Sequence, residues 1–574
     1  MKMRIQKLFV PASMLIAIAY LFATFSFATR LKADDEHDHS ENFEFKPGSL
    51  VLSRSVYKGT STTVNVGDVL PPGCVAGVVN VDVLPAFQAA NTNADKTKTP
   101  VTVSCTKAIA NGTYPTVFNN NTVDGSFGVT SPIFLDNITT NGTLLGTLPI
   151  DPKRIVTSFS SKSELALNRS LDKKSITFVG YVGGHGFVTD ENQLDVSNSN
   201  TPGVIDPTNP VVSQYYRSVA EVDADGHLRV TDGNAYSGNN GRAAIKAGWK
   251  YYMSGNDNNG GLTIPKKGVP PIDQLNGTQV GVNLINSTGA ELLDPFQTPP
   301  LPPDIAMIGR LMPLGTDKPG KETNFRGLTI FDNTLYVSKG SGGNGVNSVY
   351  QVGAAGTLPT GTAAALATVP IDTLPGFPPF SIPESTSTFP FGLWFANANT
   401  LYVCDEGDGT SIVPVPPSVN VADAATLATA GVQKWHFDGT TWHMLYVLQN
   451  GLNIGVPYAI AGYPSPATDG CRNLTGEVHH GIATIYAVTS TISASGDQGA
   501  DPNKLVKVLD DVDANTLLGD GDHDDVGLGV FTTIRAAGFG EVLRGVTLTP
   551  QDRDDDHDKD ADHDHDRDGN HDRR

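Results

Sequence analysis

Phe325-Arg-Gly-Leu-Thr-Ile-Phe-Asp-Asn-Thr-Leu-Tyr-Val-Ser-Lys-Gly340 is the stretch that decides the fold. Two apolar runs flank Asp332-Asn333-Thr334, and Asp and Asn tolerate the backbone of a tight turn, so the stretch reads as a β-hairpin. Phe391-Gly-Leu-Trp-Phe-Ala-Asn-Ala-Asn-Thr-Leu-Tyr-Val-Cys-Asp-Glu406 repeats it, His480-Gly-Ile-Ala-Thr-Ile-Tyr-Ala-Val488 repeats it again, and Leu543-Arg-Gly-Val-Thr-Leu-Thr549 is a reduced copy. A second strand or hairpin follows each strong copy, at Ser348–Val352, Val432–Tyr446 and Lys504–Val508. Weaker copies lie at Lys174–Tyr181 with Tyr216–Val222, and at Arg242–Gly255 with Val280–Leu293. Two hairpins per repeat make a four-stranded blade, so the expected fold is all-β, a single β-propeller. Counting copies gives about seven blades. Two β-sandwiches would also supply many strands, but they do not call for a repeated four-strand unit.

The last copy begins a blade that lacks outer partners. Leu50–Val56 and Ile133–Leu148 can supply them, closing the ring between the two chain ends and leaving no open edge there. Composition agrees with short strands and many turns: the chain has 60 Gly and 38 Pro among 574 residues, and charged residues are only 17%. Residues 59–125 are less regular and read as an insertion inside the propeller, which spans 47–550.

The outer segments have different chemistry. Residues 1–28 read as a signal peptide: a basic start, an apolar run Leu8–Ala28, and a small-x-small end at Ser26-Phe27-Ala28. The same run is long enough to stay as a membrane anchor. The small residues at its end and the polar segment after it favour cleavage, leaving no membrane span. Residues 29–46 form an acidic linker, and 551–574 an Asp/His-rich tail with almost no apolar side chain, expected to be disordered. These ends hold much of the formal net charge of −20. An acidic chain excludes nucleic acid as the expected partner. A small molecule, a glycan or a protein remains, with divalent cations at the tail. The expected location is secreted, periplasmic or on the cell surface.

Four cysteines in an exported chain are expected to form disulfides, Cys74 with Cys105 and Cys404 with Cys471. Asn234-Ala-Tyr-Ser-Gly-Asn-Asn-Gly-Arg-Ala-Ala244, taken with Phe325-Arg-Gly-Leu-Thr-Ile330, Gly431-Val-Gln-Lys-Trp435 and Leu543–Pro550, resembles a family of secreted bacterial β-propeller proteins. The resemblance runs from Leu50 to Pro550. It implies the fold and export, and it hands over no catalytic residues. Some members end in a sorting tail, whereas this chain ends in a charged tract with no apolar anchor.

Inner strands of a propeller line its channel, and ligands gather at the channel mouth. Glu164, Arg217, Arg242, Arg326 and Arg544 stand near the starts of repeats and are the candidate ligand-binding residues. One role for the arginines is an anion or carboxylate site. The other is to pair with neighbouring carboxylates or carbonyls and hold blades together. Asp405, Glu406 and Asp408, with His479 and His480 opening the next repeat, offer hard oxygen ligands for calcium. Lactonase-like and phytase-like propellers use such clusters, but this spacing matches neither, and solvated loop charges would read the same way. Asp520, Asp522 and Asp524 alternate as in calcium loops, without the glutamate at the twelfth position. No phosphate loop, dinucleotide fingerprint or Gly-x-Ser-x-Gly elbow is present, so no nucleotide or organic cofactor is indicated and no catalytic residue is assigned. The functional expectation is a ligand-binding or extracellular interaction propeller that takes calcium. The alternative is a calcium-dependent hydrolase of the lactonase, esterase or phytase kind, with its site at the channel mouth. A third option is a cell-envelope structural or adhesive protein whose acidic tail collects cations.

Overall fold

Six antiparallel sheets of four or more strands follow one another along the chain. In the computed structural model, the innermost strands of neighbouring sheets meet in cyclic order, so the sheets are blades of a ring. The structure describes residues 43–57, 65–67, 69–70, 77–82, 98–103, 106–107, 114, 130–159, 161, 164–182, 217–233, 235–236, 240–256, 281–291, 306–307, 310–311, 324–340, 346–379, 388–409, 428–493, 499–517 and 527–551. Those from Glu44 onward belong to one compact unit. Apart from the four-residue helix Ala363–Leu366, the regular structure among the described residues is strand. No helix among them is long and apolar enough to cross a membrane. Residues 1–28, read above as a signal peptide, the tail beyond Gln551, Cys74, Cys105, Asp520, Asp522 and Asp524 lie outside the described residues.

Blade 1 is built from Asn168–Arg169, Ser175–Val182, Arg217–Asp223 and Leu228–Gly233, with Ile155–Ser158 added beside its second strand. Blade 2 is Gly241–Ala247, Lys250–Gly255, Val282–Asn286 and Ala306–Met307. Blade 3 is Phe325–Phe331, Thr334–Lys339, Ser348–Val352 and Pro370–Thr373, with Arg310–Leu311 as a parallel fifth strand. Blade 4 is Pro390–Asn397, Thr400–Asp405, Gly431–Phe437 and Trp442–Leu448. Blade 5 is Ala467–His479, Ile482–Ile492, Lys504–Asp511 and Thr532–Ala536. Blade 6 takes its inner strand, Glu541–Leu548, from the end of the chain, and Leu50–Val56, Ile133–Ile138 and Leu144–Pro149 from the start. Leu50 pairs with Leu548 and Leu52 with Val546, so closure by joined ends is as expected.

The count of seven is corrected to six. The two weaker pairs of copies supply blades 1 and 2, and the short strands Ala306–Met307 and Arg310–Leu311 go to the outer edge of blade 2 and to blade 3, which leaves no strands for a seventh blade among the described residues. Among the described residues, strands of the 59–125 insertion pair only among themselves, Gly77–Asp82 with Lys98–Val103 and Val69–Leu70 with Thr106–Lys107.

The repeated Arg-Gly-Leu-Thr pattern has a steric reason. A Cβ on Gly327 would lie 2.1 Å from the Phe391 carbonyl oxygen of blade 4. One on Gly392 would lie 2.7 Å from that of Arg472 in blade 5, and one on Gly545 2.4 Å from that of Leu165 at blade 1. Only glycine lets these inner strands approach so closely. Apolar wedges fill the space between blades, for example Ile245, Tyr252 and Leu284 of blade 2 against Phe325, Leu335 and Val337 of blade 3.

Buried ion pairs bridge three of the junctions. Asp136 of blade 6 accepts from Arg54 of its own blade (2.9 Å) and from Arg535 of blade 5 (2.8 Å). Glu221 of blade 1 accepts from Lys246 and from the Tyr251 hydroxyl of blade 2. Asp510 of blade 5 accepts from Tyr402 (2.5 Å) and Tyr446 (2.8 Å) of blade 4, with the Lys434 ammonium 3.0 Å away.

Candidate functional site

Strand direction sorts the two faces of the ring. Inner strands start, second strands end and third strands start at one face, called here the upper face. Connections 57–132, 183–216, 256–281, 406–430 and 493–503 leave and return there. The lower face has two-residue turns between first and second strands, such as Gly248–Trp249 and Asp332–Asn333. Asp332 and Asn333 both have positive φ, 44° and 53°, as a hairpin turn matching strand twist requires. Long connections on a rigid scaffold are where binding residues usually sit.

Buried ionisable side chains concentrate on the upper face. Arg242, Arg326, Arg472 and Arg544 occupy the same place in the inner strands of blades 2, 3, 5 and 6, and all four are buried. Blade 4 has Phe391 there. Each arginine reaches a neighbour. Arg242 Nη1 donates to Asn324 Oδ1 (2.5 Å) and to the Phe325 carbonyl (2.9 Å) of blade 3. The Arg326 guanidinium lies 5.5 Å from the Phe391 ring centre of blade 4. Arg472 Nε donates to Glu406 Oε2 of blade 4 at 3.1 Å. Arg544 donates to Ser55 Oγ (3.2 Å) and to the Phe159 carbonyl at the approach to blade 1. The arginines therefore do join blades, as one of their two expected roles required.

Glu164 lies just ahead of the inner strand of blade 1. Its Oε1 accepts from the Tyr181 hydroxyl (2.6 Å) and from Asn240 Nδ2 (2.8 Å). Arg217 opens the third strand of that blade, its guanidinium 4.6 Å from the Tyr181 ring centre. The structure thus brings Glu164 and Arg217 together through Tyr181.

The expected calcium ligands are engaged within the protein. Asp405 accepts from the amides of Phe389 (2.8 Å) and Gly407 (3.0 Å) and from Gln433 Nε2 (2.7 Å). Glu406 pairs with Arg472. Asp408 sits in the same loop, and Asp469, at the start of the next inner strand, accepts from the Gly409 amide at 2.9 Å. A Cβ on Gly407 would lie 2.5 Å from Asp469 Oδ1, so the positive-φ glycine (82°) lets the loop wrap this carboxylate. Among the described residues, only Asp223, Asp225 and His227 bring three ligand atoms within 4.8 Å of one another. Turn hydrogen bonds account for that group: Asp223 Oδ1 accepts from the amides of Asp225 and His227.

Cys404 and Cys471 are bonded, as expected, with Cα atoms 5.2 Å apart. The bridge ties the strand end carrying Asp405 and Glu406 to the strand start carrying Asp469 and Arg472. With the cysteines 67 positions apart, loop-closure entropy puts its stabilisation at about 4 kcal/mol.

Burial pushes the Asp405 carboxyl up to about 7, against the Phe389 and Gly407 amides that favour its ionised form. Burial also raises Asp469 well above the ordinary range, and Asp408 and Glu406 add to the rise. An unfolded aspartate titrates near 3.9. Between that value and about 7, the folded chain holds protons that the unfolded chain has released, so stability falls as pH rises through this window. Denaturation midpoints are expected to be higher at pH 5 than at pH 7.5. Asp469→Asn keeps an oxygen for the Gly409 amide, and it is expected to raise the pH 7.5 midpoint and flatten the slope. A wild-type midpoint that climbs over this range contradicts the assignment.

Reading by sequence missed Arg472, Asp469, Asn240 and Tyr181. Arg472-Asn-Leu-Thr475 shares its pattern with Arg326-Gly-Leu-Thr329 and Arg544-Gly-Val-Thr547, a signal that aligning the repeats one strand earlier would have found.

No family model matches the sequence, and no curated protein matches it. Among solved structures, the chain is similar to one from a Saccharomyces cerevisiae assembly of dbp5 with nup159 and gle1, at 8% identity, over 68% of this chain and 92% of that one, with a TM-score of 0.26. It is similar to the ectodomain of the parainfluenza virus 5 hemagglutinin-neuraminidase at 9% identity, over 94% and 96%, with a TM-score of 0.25. It is also similar to a mutant apocarotenoid oxygenase of Synechocystis at 8% identity, over 74% and 59%, with a TM-score of 0.20.

Proposed function

We propose that this protein is an exported, non-catalytic propeller that binds a small anionic ligand at the upper mouth of its channel. One observation carries the reading: buried arginines recur at one position in four inner strands, on the face bearing the long connections. Holding blades together does not by itself call for them. Apolar residues of similar volume often serve as well or better than buried charges. Buried ionisable groups gathered in one place are a mark of a functional site. Guanidinium groups suit carboxylate and phosphate oxygens through paired N–H donors. Export is supported by the signal-like start of the chain and by the buried Cys404–Cys471 bridge, which oxidising compartments favour. The family resemblance points the same way. A calcium-dependent hydrolase is the less supported reading, because oxygens of Asp405 and Glu406 already accept protein hydrogen bonds.

Thermal shift against acetate, propionate, lactate, citrate, glucuronate and phosphate tests the reading. A ligand that binds only the folded state raises the melting temperature with concentration. Arg326→Met, which keeps length and loses charge, is expected to weaken the response at least about tenfold, near the 1.4 kcal/mol of one charge-assisted hydrogen bond. A flat response to every anion up to tens of millimolar would falsify the proposal.

A further inference from the structure

Four of the six inner strands present an arginine at the upper face, and blade 1 presents a glutamate. Glu164 is 2% exposed. Its Oε1 has two donors, Tyr181 and Asn240, while its Oε2 has no hydrogen bond among the described residues. A buried carboxylate oxygen without a donor is costly, because water is lost and nothing replaces it.

The backbone beside it is strained. Leu165, buried and branched, has φ +67°, and Tyr236, fully buried near Arg242, has φ +58°. The left-handed region is unfavourable for such residues and persists where the surroundings over-determine it, often at ligand clamps. Lys173, Asp332, Asn333 and His480 also have positive φ, but they sit in the turns of the lower face, and Asn453 is exposed in the connection between blades 4 and 5. Tyr236 therefore falls at the junction of blades 1 and 2, where Glu164 and Asn240 meet, and Leu165 follows Glu164 directly, its carbonyl against Ser53 and Gly545 of blade 6.

Resting on the anion-binding reading above, we infer that Glu164 Oε2 accepts a hydrogen bond from the ligand, which is a small carboxylate bearing a hydroxyl or ammonium donor. The arginines take the negative end and Glu164 takes the donor. An anion without a donor would leave Glu164 facing negative charge, so the site selects against it. Arg217, stacked on Tyr181, adds positive charge behind the phenol that positions Glu164.

Propionate, lactate and alanine form a matched set of a bare carboxylate, one with a hydroxyl and one with an ammonium. Their affinities are measured by calorimetry on the mature chain. Lactate or alanine is expected to bind at least about tenfold more tightly than propionate, the worth of one hydrogen bond to a charged group. The tighter of the two identifies the donor. Glu164→Gln keeps an oxygen for Tyr181 and Asn240 and is expected to bring the ratio near one. Arg326→Met is expected to weaken all three alike. Equal affinities in the wild type, or an unchanged ratio in Glu164→Gln, overturn the inference and leave anion binding standing. No binding by any of the three, together with no response to the other anions, overturns both. Should Glu164→Gln fail to fold, the wild-type ratio alone decides.

Discussion

Gly327→Val is expected to destabilise the protein by at least about 3 kcal/mol, beyond the range of ordinary overpacking. The new Cβ would lie 2.1 Å from the Phe391 carbonyl oxygen and 2.9 Å from its carbon. Both are backbone atoms of the next inner strand, so no rotamer change relieves the clash. Blades 3 and 4 must separate, and the Arg326 guanidinium leaves the Phe391 ring. Gly545→Val makes the same demand at the closure of the ring, against Leu165 and Leu167. Gly538→Ala is the control: its nearest neighbour is a Glu541 side-chain oxygen at 3.4 Å, an ordinary contact. Denaturant midpoints decide the matter. If Gly327→Val and Gly538→Ala melt alike, the close approach of inner strands does not hold.

Asp510→Ala is expected to cost about 3–5 kcal/mol, the usual effect of breaking a buried ion pair from one side. Lys434 has no exposed side-chain surface, and its ammonium also donates to the carbonyls of Asp511 and Ala514. Removing the carboxylate leaves that charge in a low-dielectric seam and takes the acceptor from two tyrosine hydroxyls. Tyr402 and Tyr446 are both held above their ordinary range, by burial first and then by Asp510. Lys434→Met with Asp510→Leu removes both charges and is expected to recover most of the loss. A double-mutant cycle in denaturant measures this, and additive single effects would show the charges to be uncoupled.

Hairpins and ring closure were legible because they depend on local chemistry. Asp332-Asn333 announces its turn, and Leu543–Thr549 repeats the inner-strand pattern whose partner is Leu50–Val56. The blade number was less legible. Two-residue strands such as Ala306–Met307 carry too few side chains to show a period. The candidate site was half hidden for a related reason. Blade 5 begins with Ala467-Thr-Asp-Gly-Cys-Arg-Asn, a strand start whose polar residues are buried among partners from other blades. Hydrophobic alternation cannot mark such a strand, so the repeat was read from His480 and Arg472 was passed over. Pairings such as Glu406 with Arg472 or Glu164 with Asn240 span 66 and 76 residues, and only the ring brings them together.

The bridge between Cys404 and Cys471 closes a covalent loop around the connection 406–430 and two strands of blade 4. A protease that cuts once between these cysteines does not release a fragment. The chain still migrates as one species until a reductant reaches two sulfurs that are fully buried. The longest connection of blade 4 can therefore be nicked and the two pieces stay joined, with Glu406 still fastened to Arg472.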